Sequence, residues 1–154
     1  FYSVIYNIDG DARHGRFKVC RKNTKGYQRQ LMSWENFNLD EFACRHCGKN
    51  LISHNLVDRL QSLRTELAFP FVITSGYRCP EHPNEINKSK PGTHAMGLAV
   101  DILSYGEQAY KIVTTAPKHG FTGIGVNQKG QGRFIHLDIA DETHGKTRPT
   151  IWSY

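Results

Sequence analysis

The sequence predicts an α+β fold, a small and mainly antiparallel sheet with packed helices. Three observations predict it. One segment carries an apolar stripe of helical period, several short segments alternate with the two-residue period of a strand, and the order runs helix, strand, strand, helix, hairpin. At 154 residues, with 38% hydrophobic and 22% charged residues, the chain is long enough to bury one core and has a globular balance. No apolar run approaches the roughly 18 residues of a membrane span.

In chain order, residues 1–33 read as a basic N-terminal extension and residues 34–154 as the main domain. The extension holds seven Lys or Arg against two Asp, while the remainder holds thirteen against twelve. Such an arm suits an anionic neighbour. No helix-turn-helix, RNA-binding sheet motif or interleaved aromatics accompany the charge, so no nucleic-acid partner is expected. Phe17-Lys18-Val19-Cys20 predicts a short strand after the turn-prone Asp9-Gly10-Asp11 and His14-Gly15. Trp34 to Asn50 is polar and loop-rich. Ile52, Leu56, Leu60, Leu63 and Leu67 then form one helical stripe, which predicts a helix over Ser53–Leu67. Phe71-Val72-Ile73-Thr74 predicts a strand. In Leu98-Ala99-Val100-Asp101-Ile102-Leu103 the apolar residues alternate onto one face and leave Asp101 on the other. Ser104-x-x-Glu107 matches a capping box, and the helix it starts should end near His119-Gly120. Gly123–Val126 and Arg133–Ile139 predict a hairpin joined by the Gly-rich loop Asn127–Gly132.

Two of these strands carry residues that an apolar surface tolerates poorly. His136 and Asp138 lie two apart and leave the same face as Phe134, while Ile135, Leu137 and Ile139 leave the other. Asp101 is the only charge in Gly97–Leu103. Buried charges of this kind need partners or a metal. With His94, Asp101 and His136 they make two imidazoles and one carboxylate, the ligand set of a catalytic zinc that keeps a fourth position for water. The cysteines leave several readings open. Cys44-x-x-Cys47 suits half of a structural zinc site completed by Cys20, Cys79 or His46, a disulfide, or reduced thiols. His14, His46, His54, His82, His119 and His144 read as surface residues, and Tyr77, Trp152 and Tyr154 as packing.

Ser75-Gly76-Tyr77-Arg78, Thr93-His94-x-x-Gly97-x-Ala99-x-Asp101 and Phe134-Ile135-His136-Leu137-Asp138 together resemble peptidase family M15, the zinc D-Ala-D-Ala carboxypeptidases and murein endopeptidases. They look closest to its short branch of bacterial and phage proteins. The likeness spans about Trp34 to Tyr154, including Glu41-Phe42-x-Cys44 and Trp152-Ser153-Tyr154, and leaves out residues 1–33. It implies the small α+β fold shared with the hedgehog signalling domain and Zn²⁺ bound by His94, Asp101 and His136. It also implies that Arg78 steadies a substrate carboxylate or carbonyl oxygen. Substrates would be peptidoglycan stem peptides or cross-links at the bacterial cell wall, with the basic arm holding anionic wall polymer. One departure stands out. Several members carry a Glu or Asp base three residues before the last His, and here that position is Arg133, which cannot act as a base. The short branch shows His136-x-Asp138, so Asp138 is the expected base, or else a partner that orients a ligand imidazole. The expected activity is zinc-dependent peptide hydrolysis. The reading from another class is a zinc-stabilised wall-binding or virion module without catalysis.

Overall fold

The computed structural model describes residues 34–154 in full. Of residues 1–33 it describes the backbone of three strands, β1 (Ile5–Tyr6), β2 (Phe17–Asn23) and β3 (Gly26–Met32). These pair antiparallel in the order β1-β2-β3. His14, and with it its surface reading, lies outside the described residues, and the metal reading of Cys20 concerns a side chain of which nothing is described.

From residue 34 onward the elements are a 3-10 turn (Leu39–Phe42), α1 (His54–Leu67), β4 (Val72–Ser75), β5 (Ala99–Leu103), α2 (Gly106–Thr115), β6 (Gly123–Asn127), β7 (Phe134–Asp138) and β8 (Thr150–Ser153). The five strands form one mixed sheet in the order β4-β5-β7-β6-β8. Every pairing is antiparallel except β6 with β8, which is parallel. The fold is α+β. Its parallel edge arises because the chain loops back through residues 139–149 before laying down β8.

The apolar stripe of α1 is the stripe that is buried: Leu56, Leu60 and Leu63 have no exposed surface. They join Ala109 and Ile112 of α2, and Ile73, Val100, Ile102, Ile124, Ile135 and Leu137 of the sheet, in a single core. Strand parity decides the rest. Because Val100, Ile102, Ile135 and Leu137 point into this core, Asp101, His136 and Asp138 point to the opposite face.

The capping box expected at Ser104 does not form. Ser104 Oγ donates to the Ile102 carbonyl (3.2 Å), Glu107 pairs with Lys111 instead, and the helix takes Tyr105 as its N-cap residue. The cause is local: Gly106, at φ 56°, turns the chain in a way that carries Ser104 away from the helix N-terminus.

Candidate metal centre

Register places the polar residues of the open face in rows across the sheet. Ser75 on β4 faces Asp101 on β5, Asp101 faces His136 on β7, His136 faces Gly125 on β6, and Gly125 faces Trp152 on β8. The next row sets Ala99, Asp138, Gly123 and Thr150 side by side. His94 arrives from the loop before β5. Its carbonyl accepts from Arg78 N (3.3 Å) and Gly97 N (3.0 Å), and the Leu98 N–H closes on Thr93 O (2.9 Å).

Three donor atoms meet there. His94 Nε2 is 3.1 Å from His136 Nδ1 and 3.2 Å from Asp101 Oδ1, and His136 Nδ1 is 2.9 Å from Asp101 Oδ1. All three residues are buried, at 3–5% exposure. Tetrahedral zinc, with bonds of about 2.0–2.1 Å, would set its donors about 3.3 Å apart. The observed triangle therefore needs only a few tenths of an ångström of expansion to hold such an ion.

Each donor is turned inward by a partner behind it. His94 Nδ1–H donates to the Gly76 carbonyl (2.7 Å), which leaves Nε2 as the lone-pair nitrogen. His136 Nε2–H donates to Asp138 Oδ2 (3.3 Å), which leaves Nδ1 free. Arg78 Nη2 donates to Asp101 Oδ2 (2.8 Å) and Nε to Ser75 Oγ (2.9 Å), so Asp101 presents its other oxygen to the imidazoles. Glu85, itself buried, stands 3.9 Å from Arg78 Nη1 and ties the intervening loop through Lys88 and the Gly92 N–H.

Asp138 has no exposed surface, and its oxygens are taken. Arg148 grips it with two bonds, Nε to Oδ1 (3.0 Å) and Nη2 to Oδ2 (2.6 Å), and the Ala140 N–H adds a third (3.1 Å). Burial opposes its charge, but His136 and Arg148 outweigh that and hold the carboxyl at about 2. Asp101 is lowered too, with burial again overcome by the two imidazoles. Burial lowers His94 despite Asp101, whereas at His136 the two carboxylates overcome burial and raise the pKa.

Two glycines make room for this arrangement. A side chain at Gly125 would come within 2.8 Å of the Trp152 ring, which lies 5.2 Å from the His136 ring and 5.3 Å from the Arg148 guanidinium. A methyl at Gly123 would run into both oxygens of Asp138. Because Arg148 and His136 hold that carboxylate, it cannot simply move aside. Gly123→Ala is expected to cost about 1–3 kcal/mol by overpacking, read as a lower midpoint in urea unfolding. An unchanged midpoint would mean that the carboxylate is not held as described.

Of the remaining residues, His46 and His144 are exposed, as their surface reading expects. Arg133 stacks on Tyr105 (4.4 Å) and takes no part in the triangle. His119 is no free surface residue: it bonds Ser62 and Glu66 through its two nitrogens. His46 sits against Cys79, His54 against Trp34, and His144 against Asp141. Tyr77 is buried packing, as expected. Trp152, expected as edge packing, covers His136. Arg148 and Glu85 carry no signal in the sequence, and Gly76 and Gly123 show there only as part of a motif and a strand, not in their roles at the site. A buried Asp138 demands a cation, but with 20 Lys and Arg in the chain nothing local picks out Arg148.

Two imidazole nitrogens and a carboxylate oxygen converging on one face of a small α+β sheet are a donor set suited to a divalent ion, the arrangement of a metal-dependent hydrolase. The chain belongs to the Peptidase M15 family, whose description matches residues 33–138, and it is a metallopeptidase. The match contains all three donors and Asp138, and ends before Arg148 and β8. A search of curated proteins finds no match to this chain.

Proposed function

We propose that this metallopeptidase uses zinc, held by His94, Asp101 and His136, to hydrolyse peptide bonds in peptidoglycan stem peptides or cross-links. The convergence of the three donor atoms to 2.9–3.2 Å of one another, each with its far side anchored, carries the reading. The substrate class is supported by the likeness of the Ser75–Arg78, His94–Asp101 and Phe134–Asp138 motifs to wall-cutting members of the family. The seven basic residues in 1–33 support an extension, separate from the 34–154 domain, that holds the enzyme to anionic wall polymer.

When bound, zinc supplies an activated water and polarises the scissile carbonyl. The chain supplies the rest. Gly76 and Asp138 fix the imidazole tautomers. Arg148 keeps Asp138 charged and in place. Arg78 aligns Asp101 and brings positive charge beside the site for a substrate carboxylate or developing oxyanion. Asp138 is a positioning residue in this scheme rather than the base, because its oxygens face Arg148, His136 Nε2 and the Ala140 N–H.

Zinc-loaded protein incubated with purified muropeptides, with products identified by mass, tests the substrate. Cleaved stem peptides or cross-links support it, whereas intact muropeptides from fully loaded protein overturn it and favour a wall-binding module. Asp138→Asn separates positioning from proton transfer. Zinc affinity should fall by about 10–100-fold and the rate should recover at saturating zinc. A rate that stays low with the site filled would make Asp138 the base instead.

A further inference from the structure

We propose that Cys44, Cys47 and Cys79 bind a second, structural zinc ion, with His46 as its fourth donor. The three sulfurs lie within 4.8 Å of one another although Cys79 is distant in sequence. Thiolates on tetrahedral zinc, with bonds of about 2.3 Å, sit about 3.8 Å apart, so this spacing suits one ion between them. His46 stands at the edge of the three-sulfur cluster, its Nδ1 3.3 Å from Cys79 Sγ, and would turn toward the other two sulfurs to complete the set.

The backbone is shaped for the same purpose. The Cys44 carbonyl accepts from Gly48 N (2.7 Å) and the Cys44 N–H donates to Lys49 O (2.8 Å), a tight turn that brings Cys47 round to Cys44. The Cys79 N–H points at Cys44 Sγ (3.3 Å), the kind of bond that favours a thiolate there. A disulfide would use two of these sulfurs and leave the third beside it, and all three are free thiols in the structure. A divalent ion would take these thiols as thiolates, because coordinated thiols lose their protons.

The location gives the ion a purpose. Cys44 and Cys47 follow the turn that ends at Phe42, and the Phe42 carbonyl accepts from Tyr77 N (2.8 Å). Cys79 closes the strip that begins at Gly76, whose carbonyl orients His94, and includes Arg78, which orients Asp101. An ion held by the thiols fastens this strip to the loop after Phe42 and so braces the first site from behind. The inference rests on the thiol cluster and is independent of the reaction at the first site.

Metal counting tests it. Chain purified under reducing conditions with zinc should carry two equivalents by native mass spectrometry, falling to one in Asp101→Asn and to one in Cys79→Ser. Cobalt substitution gives a readout that needs no cysteine variant: an intense near-ultraviolet thiolate-to-cobalt band should appear in the wild type and persist in Asp101→Asn. A wild type with a single zinc that Asp101→Asn removes, or cobalt spectra without a thiolate band, would overturn the proposal. So would a disulfide among these three cysteines in the reduced preparation.

Discussion

Arg148→Met is expected to lower the unfolding free energy by about 3–5 kcal/mol, the cost of leaving a buried charge without its partner. Asp138 has no contact with solvent, and Arg148 supplies two of its hydrogen bonds. The side chain of Arg148 is itself only 12% exposed, so solvent screening discounts the pair little. Removal of the guanidinium forces Asp138 either to stay charged in an apolar site or to take up a proton. Either way the hold on His136 slackens, and the Trp152 ring loses the cation stacked on it. Lysine should rescue poorly, since an ammonium cannot reproduce the paired geometry. Urea unfolding of the variant measures the loss. Arg148→Met/Asp138→Asn should recover about 1–2 kcal/mol relative to Arg148→Met, because the neutral amide no longer needs a counter-charge. A single-variant loss below about 1 kcal/mol would mean that the pair behaves as an ordinary surface bridge.

The largest catalytic effect is expected at Asp101. Asp101→Asn keeps the shape but removes the one negative charge among the three donors, and a carboxamide is a far weaker ligand than a carboxylate. It also leaves Arg78 without its carboxylate. Peptide hydrolysis should fall by roughly a thousandfold or more, equivalent to the several kcal/mol that a Lewis-acid metal contributes. Zinc at this site should be lost in parallel. Chelation of the wild type should reproduce the loss, and added zinc should reverse it in the wild type but not in the variant. A variant that retains wild-type zinc content at this site and more than about a tenth of the wild-type rate would remove Asp101 from the ligand set.

Much of this arrangement is legible in single segments. The alternation in Leu98–Leu103 and Phe134–Asp138 places Asp101, His136 and Asp138 away from the core before any pairing is known, and β5 and β7 do leave those side chains on one face. The stripe Leu56, Leu60, Leu63 is the buried side of α1. Ser104-x-x-Glu107 shows where local pattern misleads: a capping box requires the backbone to enter the helix directly, and Gly106 prevents it. Asp138 shows a subtler limit. Strand parity identifies its face, but whether its carboxylate looks toward the donor triangle or behind it depends on Arg148, which reaches it from the loop before β8.

By itself the sequence determined the element types, the α+β class, the chemistry of the donors and the side of the sheet on which they stand, because periodicity and residue chemistry are local properties. Tertiary structure alone decided that Asp101 faces His136 across β5 and β7 and that His94 reaches them from a loop. It also decided that Gly76, Arg78 and Asp138 with Arg148 stand behind the three donors, that β8 runs parallel to β6, and that Cys79 meets Cys44 and Cys47. Those facts depend on strand register and loop closure. Both are set by how the whole core buries its apolar surface, which no single segment encodes.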